Sequence, residues 1–356
     1  MLVTDGKETG MAILTGYLGT YDSPRSRGVF RFSFDGETGA LTAPELLLEA
    51  PDAKYLALRD GLLAAPVRRG SRAGLCLADL RASGGPCVVE YLCEMTPGCY
   101  TAFDGDRVYG ANFHEGTVTV YRLEADAPLF EKRIEIAPGA GCHQVLARGR
   151  FLLVPCMNLD EIRLFDRESL APAGSVPFPK GSGPRHGVFD RAGERLFVAA
   201  QGDNTLYSFE AGPEGFVPAG AEPLLPPGAR EGSEAAAVRL SSDERFLYVS
   251  VRGENVIAVL EARGTRTRVI QRAPCGGDHP RDILLSPDGR FLLAANRNAG
   301  GLVCFAVDRE TGLIGKECAR VDACEGVAVV LDAPNEDAQA APGGGGKGWM
   351  TDAGAF

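Results

Sequence analysis

Histidine is scarce in this sequence, four in all, tryptophan occurs once, and no apolar run approaches the roughly 18 residues that cross a bilayer. The last absence excludes a helical membrane span. Basic charge is in deficit: 37 Lys and Arg stand against 47 Asp and Glu, a formal net charge of -10. An acidic average surface is not drawn to nucleic acid or anionic lipid, so neither is the expected partner, and a small anionic ligand needs a local basic cluster. The ten cysteines include no Cys-x-x-Cys pair, and no signal-peptide pattern is read ahead of them. Cys76 and Cys304 lie inside apolar runs, where cysteine behaves as a small hydrophobe. Reduced thiols in a cytoplasmic setting are therefore the expectation. Spacings such as H-x-x-x-H, H-x-E or G-x-S-x-G are missing too, which leaves no signature of a metal centre or a serine triad.

What is abundant is turn chemistry, Gly 46 and Pro 23, and a recurring phrase. From Gly183 to Phe209 the chain reads as three short apolar runs separated by polar turns, an antiparallel meander. The middle run recurs as Leu152-Leu153-Val154, Leu196-Phe197-Val198, Leu247-Tyr248-Val249 and Leu292-Leu293-Ala294, with weaker copies at Ile13, Leu62 and Val108. These seven copies are spaced roughly 44 to 51 residues apart, the period of four-stranded propeller blades. One meander cannot bury both its faces, so each copy needs neighbours, and closing the ring removes exposed ends. The sequence predicts an all-β fold, a seven-bladed β-propeller of four-stranded antiparallel blades over residues 11–332.

The edges of that unit read differently. Residues 1–10 are polar and are expected to be a flexible leader, with Met11 a possible natural start. Gly326 to Asp332 is a lone terminal strand, as required if both chain ends share a blade and latch the circle. Residues 333–356 carry a run of glycines before Lys347, which lacks the Ser or Thr and the leading strand of a phosphate loop and reads as a flexible tail. Asp35-Gly36-Glu37-Thr38-Gly39 is a turn repeated at Asp308-Arg309-Glu310-Thr311-Gly312. Residues 50–95 are the weakest copy, and Arg68 to Arg72 read as a solvated basic turn rather than an anion site.

Chemistry in a closed ring belongs where blade-linking segments converge on the channel. Three of the four histidines fall in such segments: His143 in Gly-Cys-His-Gln, His186 in Pro-Arg-His-Gly, and His279 in Asp-His-Pro-Arg-Asp. With Arg185 and Arg281 they form a cationic, partly titratable cluster suited to a carboxylate, a phosphate or a developing oxyanion. The competing reading is structural, polar side chains that staple neighbouring blades together.

Gly19-Thr20-Tyr21, Phe32-Ser33-Phe34-Asp35, Gly183-Pro184-Arg185-His186, Arg245 to Ser250 and His279-Pro280-Arg281-Asp282 resemble the lactonase family of seven-bladed propellers. That family includes propeller-type 6-phosphogluconolactonases and fungal carboxymuconate cycloisomerases, and the likeness runs from about Ile13 to Asp332. The resemblance implies a channel site of one His, two Arg and one Glu. The His matches His143, and the arginines match Arg185 and Arg252. The Glu position holds Gln201, which cannot take a proton at neutral pH but can orient a ligand. Ala237 also departs, where many relatives place an acid; Glu234 lies three residues earlier.

The resemblance thus implies hydrolysis of a sugar lactone, 6-phosphogluconolactone first, with neutral His143 activating water. Arg185, Arg252 and Gln201 would hold the reacting group, and His186, His279 and Arg281 would bind substrate. No cofactor or metal enters this scheme. Two alternatives stand beside it: a lactonizing cycloisomerase, weakened by the missing Glu, and a non-catalytic propeller that binds an anionic metabolite or a protein.

Overall fold

The computed structural model describes residues 13–125, 127–323 and 325–333. Met11, Ala12, the expected leader and the expected glycine-rich tail lie outside them. The described residues form seven four-stranded antiparallel sheets. Blade 1 orders its strands Gly326–Asp332, Ile13–Thr20, Gly28–Asp35 and Glu45–Glu49 from inside out. The second strands of blades 2 to 7 are Leu62–Arg69, Arg107–Asn112, Phe151–Cys156, Arg195–Ala200, Phe246–Arg252 and Phe291–Ala299. Their innermost strands begin at Ala57, Tyr100, Leu146, Pro184, Glu234 and Asp278.

These second strands are the seven runs that repeat in the sequence, and the burial explains why they were legible. Leu62 to Val67, Phe151 to Cys156 and Phe246 to Arg252 are buried at every position, because each strand is sandwiched between its own blade's neighbours and the adjoining blades. A strand covered on both faces reads as a continuous apolar run rather than an alternation. Seven apolar clusters follow, one at each blade interface; Val249, Leu247 and Leu260 of blade 6 pack with Phe197 and Leu206 of blade 5, for example. Each fully buried Leu, Val or Phe contributes about 1.5–3 kcal/mol of transfer free energy. The outermost strands, such as Pro172–Pro177, are largely exposed, so selection for apolar residues is weak there and the repeat fades.

Ring closure is as the terminal strand predicts. Gly326–Asp332 pairs antiparallel with Ile13–Thr20, Tyr17 opposite Val330 and Leu18 opposite Val329, so one blade contains both ends of the propeller. The repeated Asp-x-x-Thr-Gly turn adds a lock between blades. Asp35 Oδ1 accepts the N–H of Glu37 and Thr38, as Asp308 Oδ1 does for Glu310 and Thr311. Gly39 has φ +75°, and a Cβ there would lie 2.6 Å from the Phe291 ring of blade 7. Gly312, at φ +73°, abuts Phe246 of blade 6 in the same way. The basic turn of blade 2 is a hairpin tip in which Arg68 pairs with Asp52 at 2.8 Å and Arg69 with Glu90 at 2.6 Å, while Arg72 reaches the Met95 sulfur.

Candidate active site

The innermost strands of blades 5, 6 and 7 break register at the end where they enter the channel. In blade 5 Pro184 faces Ala200 and His186 faces Ala199, leaving Arg185 as the extra residue. In blade 6 the break falls between Ala235 and Val238, and in blade 7 it falls on both sides of Pro280, with Arg281 the extra residue of the innermost strand and His279 facing two residues, Arg297 and Asn298, of the second. A bulge puts two residues against one and re-aims their side chains. His279 also has φ 65°, a left-handed conformation uncommon for histidine. His186 and His279 therefore sit inside the first turns of the innermost strands, whereas His143 precedes its strand and is held by its N–H on the Pro155 carbonyl at 3.0 Å.

The bulges build a contiguous polar chain. Arg185, 1% exposed, donates Nη1–H to the Ala236 carbonyl at 2.5 Å, an acceptor released by the blade 6 bulge. The same Nη1 lies 3.3 Å from His186 Nδ1, and His186 Nε2 lies 3.1 Å from His143 Nδ1. Direction follows from chemistry, since guanidinium has no acceptor. His186 Nδ1 must accept, so neutral His186 carries its proton on Nε2 and donates to His143 Nδ1. Neutral His143 is then left with its own proton on Nε2, as a donor. Burial, then the positive charges of Arg185 and Arg281, hold the His143 pKa well below the usual histidine range; burial and then Arg185 do the same for His186. Both rings are neutral at pH 7.

A carboxylate completes the site. Glu234 is the cross-strand partner of Arg252. Its Oε2 lies 3.1 Å from Arg252 Nη2, and its Oε1 accepts from Gln201 Nε2 at 3.0 Å. Gln201 is fixed by its backbone N–H on the Gly183 carbonyl at 2.8 Å. Burial, partly offset by Glu234 and reinforced by Arg281, brings the Arg252 pKa down to about 10. Arg185 is pushed well below its ordinary value by burial, then by Arg252 and Arg281, and has no carboxylate within 4.0 Å among the described residues. Arg185 Nε and Arg252 Nε are buried without a hydrogen-bond acceptor, whereas Arg252 Nη2 faces Glu234. Buried donors of a cation left open in this way call for an anionic or carbonyl oxygen.

Below this layer the channel is closed by satisfied groups. Gln144 takes the Gly187 N–H on Oε1 at 2.6 Å and donates to Tyr100 Oη at 3.1 Å. Tyr55 stacks on Tyr100 with ring centroids 4.1 Å apart. Arg239 donates to buried Asp282 at 2.6 Å, and Asp282 Oδ2 accepts Val329 N–H of the closing strand. These bonds staple neighbouring blades, as do those from Arg185 to the Ala236 carbonyl and from His186 to His143 above them. A recess of 770 Å³ opens beside the site, with Gln201, Glu234, Asn204 and Asp160 among its lining residues. A larger hollow, 1390 Å³, lies between the outer hairpins of blades 5 and 6, and none of the channel residues lines it. Among the described residues no group of three or more His, Cys, Asp or Glu side chains converges as a metal site would need.

The structure thus joins His143, His186 and Arg185 in one chain and Gln201, Glu234 and Arg252 in another, with Arg281 electrostatically close to both. Lys54 and Arg297 were not among the residues singled out by sequence, while Glu234 was noted only as the acid nearest Ala237 and Tyr21 only within the Gly-Thr-Tyr motif, neither with a site role. Arg297 was within reach: it lies five positions beyond Leu292, as Gln201 and Arg252 lie beyond Leu196 and Leu247. Lys54 sits in the weakest repeat, where no alignment of blades was possible.

The described residues form a seven-bladed ring with arginines gathered at one channel mouth, on a chain of net charge -10. The chain belongs to the lactonase family of seven-bladed β-propellers, whose family model matches residues 15–331. It is 26% identical over 321 residues to a 6-phosphogluconolactonase of Bacillus subtilis, covering 83% of this chain and 92% of that protein. A crystal structure of a Lactobacillus plantarum protein superposes with TM-score 0.84 at 26% identity, over 90% of this chain and 99% of that one. The periplasmic gluconolactonase of Pseudomonas aeruginosa superposes with TM-score 0.82 at 23% identity, covering 90% and 99%, a likeness of fold. No helix among the described residues is long and apolar enough to cross a membrane.

Proposed function

We propose that this protein hydrolyses a sugar lactone to the free acid, with 6-phosphogluconolactone as the first substrate to test. The observation that carries the reading is the pair of buried arginine donors without acceptors, Arg185 Nε and Arg252 Nε. A lactone carbonyl that becomes a tetrahedral oxyanion is such an acceptor, and donors fixed before the reaction stabilise the charge without reorganising.

The hydrogen-bond order supports a division of the proton work other than the expected one, in which His143 is the base. His143 presents Nε2–H and serves as an oxyanion donor beside the arginines. Glu234 accepts the proton of the attacking water, and Gln201 and Arg252 hold its two oxygens. Water oxygen bonds to the carbonyl carbon, the tetrahedral oxyanion collapses, the carbon–ring oxygen bond breaks, and the ring oxygen takes the proton back from Glu234. The donor reading of His143 makes a distinct demand. His143→Gln, which keeps an N–H donor, should retain substantially more activity than His143→Ala, whereas a general-base histidine would be lost equally in both. Glu234→Gln should lower kcat by about 10²–10⁴. A lower kcat loss than tenfold would remove Glu234 as the base.

The second reading is a propeller that binds an anionic metabolite without turnover, favoured by an amide at Gln201. Tight binding of 6-phosphogluconate with no hydrolysis of either lactone would support it. A phosphorylated substrate of this kind belongs to the pentose phosphate pathway and a cytoplasmic setting, in keeping with nine described cysteines that are all free.

A further inference from the structure

A second cationic group stands at the rim of the same channel and is separate from the arginines that face the reacting carbonyl. It gathers on the ring of Tyr21, which follows the second strand of blade 1. Arg297 Cζ lies 4.1 Å from the ring centroid, Arg281 Cζ 5.3 Å and Lys54 Nζ 5.7 Å. Arg281 comes from the bulged innermost strand of blade 7, Arg297 from the second strand of that blade, and Lys54 from the segment entering blade 2. Two blades thus bring three cations to one aromatic ring, supplied by a third blade.

Charge balance at this place is incomplete. Lys54 is 8% exposed, yet its ammonium has only the Pro97 carbonyl at 3.5 Å and Asp52 Oδ1 at 4.0 Å. Asp52 is already engaged by Arg68 at 2.8 Å. Among the described residues neither Arg281 nor Arg297 has a carboxylate within 4.0 Å. Glu325 is near enough to feel Arg297, but its Oε2 accepts from Ser23 at 2.5 Å and Ser26 at 3.1 Å. Burial, and among the charges Arg281, depress Lys54; burial, and then Arg252, Arg281 and Arg297, bring His279 down to about 4. Like charges are held together here at a cost, on a chain that is acidic overall, and a dianion removes the cost.

We propose that Lys54, Arg281 and Arg297, arranged on Tyr21, form a phosphate subsite that selects phosphorylated sugar lactones and acids over their unphosphorylated counterparts. The subsite rests on the lactone-hydrolase reading only for the sugar to which the phosphate is attached. A phosphate ester offers three acceptor oxygens and close to two negative charges, matching three cations, whereas a carboxylate would leave one cation unpaired. The deeper Arg185 and Arg252 remain free for the carbonyl. Tyr21 presents its ring face to all three cations and fixes their fan.

Calorimetric titration of the whole protein with 6-phosphogluconate and with gluconate tests this without requiring turnover. Wild type should bind 6-phosphogluconate at least about 30-fold more tightly than gluconate, the scale of two charge-assisted contacts. Arg297→Met and Lys54→Met should each lose about tenfold or more for 6-phosphogluconate and leave gluconate unchanged. Arg297→Lys, which keeps the charge and the fold, should recover part of the loss. Equal wild-type affinities, or variants that weaken both ligands alike, overturn the subsite. Hydrolysis of both lactones is scored separately. Phosphate preference without turnover leaves the subsite standing and removes the hydrolase, while turnover without phosphate preference does the reverse.

Discussion

Replacing Arg185 by methionine separates a site residue from a staple, because the two readings give opposite signs. Arg185 is 1% exposed, has no carboxylate partner among the described residues and lies in the fields of Arg252 and Arg281. An unpaired buried ion costs several kcal/mol. Methionine has similar length, no charge and flexible packing. What the substitution forfeits is the bond from Nη1 to the Ala236 carbonyl and the contact to His186, and an orphaned buried acceptor costs about 1–3 kcal/mol. The balance favours the variant by about 2 kcal/mol, or roughly 3 °C in Tm for a protein of this size. Thermal melts at pH 7 in a non-coordinating buffer measure it, and phosphate or 6-phosphogluconate should narrow the gap by stabilising wild type selectively. The same variant should lose about 10²–10³ in kcat. A fall in Tm of several degrees would refute the reasoning, since Arg185 would then be holding blades 5 and 6 together.

Gln201→Glu would set two carboxylates against each other across the present 3.0 Å contact with Glu234; one pKa of the pair must rise, so the alkaline-shifted pH–rate profile should show half-maximal activity at least about one unit above wild type, and an unshifted profile contradicts the assignment. Glu94 is buried, with Oε1 unpartnered, and burial is the main cause that raises its pKa to about 7. Its folded-state pKa exceeds the unfolded value of 4.5, so its contribution is fully present below about pH 4.5 and is lost as pH rises through about 7. Glu94→Gln should therefore stabilise by about 2–3 kcal/mol at pH 8 and by little at pH 4.5 in denaturant titrations. The histidines act in the opposite sense. His143, His186 and His279 have depressed folded pKa values, so the stability they contribute is present above about pH 6.5 and falls as acidification proceeds toward about 4 for His279; His279→Gln should flatten that part of the Tm–pH curve.

The ring was readable because its second strands are buried on both faces and must be apolar throughout, which is why Leu152, Leu196, Leu247 and Leu292 align without gaps. Closure was readable from one strand without partners, Gly326 to Asp332. His143 and Arg185 stood out because histidine is rare in this chain and both sit at blade entries. The rest depended on three dimensions. Glu234 shares no motif with Gln201, and only the pairing of Glu234 with Arg252 across a strand, next to a bulge, brings the carboxylate to the amide. The proton order through His186 to His143 depends on which nitrogen meets which, and no spacing along the chain encodes that. Lys54 and Tyr21 come from different blades and meet Arg281 and Arg297 only when the ring is closed.

The most direct test is acid release from freshly generated 6-phosphogluconolactone at mildly acidic pH, where spontaneous opening is slow, with wild type beside Arg185→Met and Glu234→Gln. The account predicts wild-type turnover well above the spontaneous rate and a loss of about a hundredfold or more in each variant. No acceleration by wild type, or variants that turn over as fast as wild type, would contradict it.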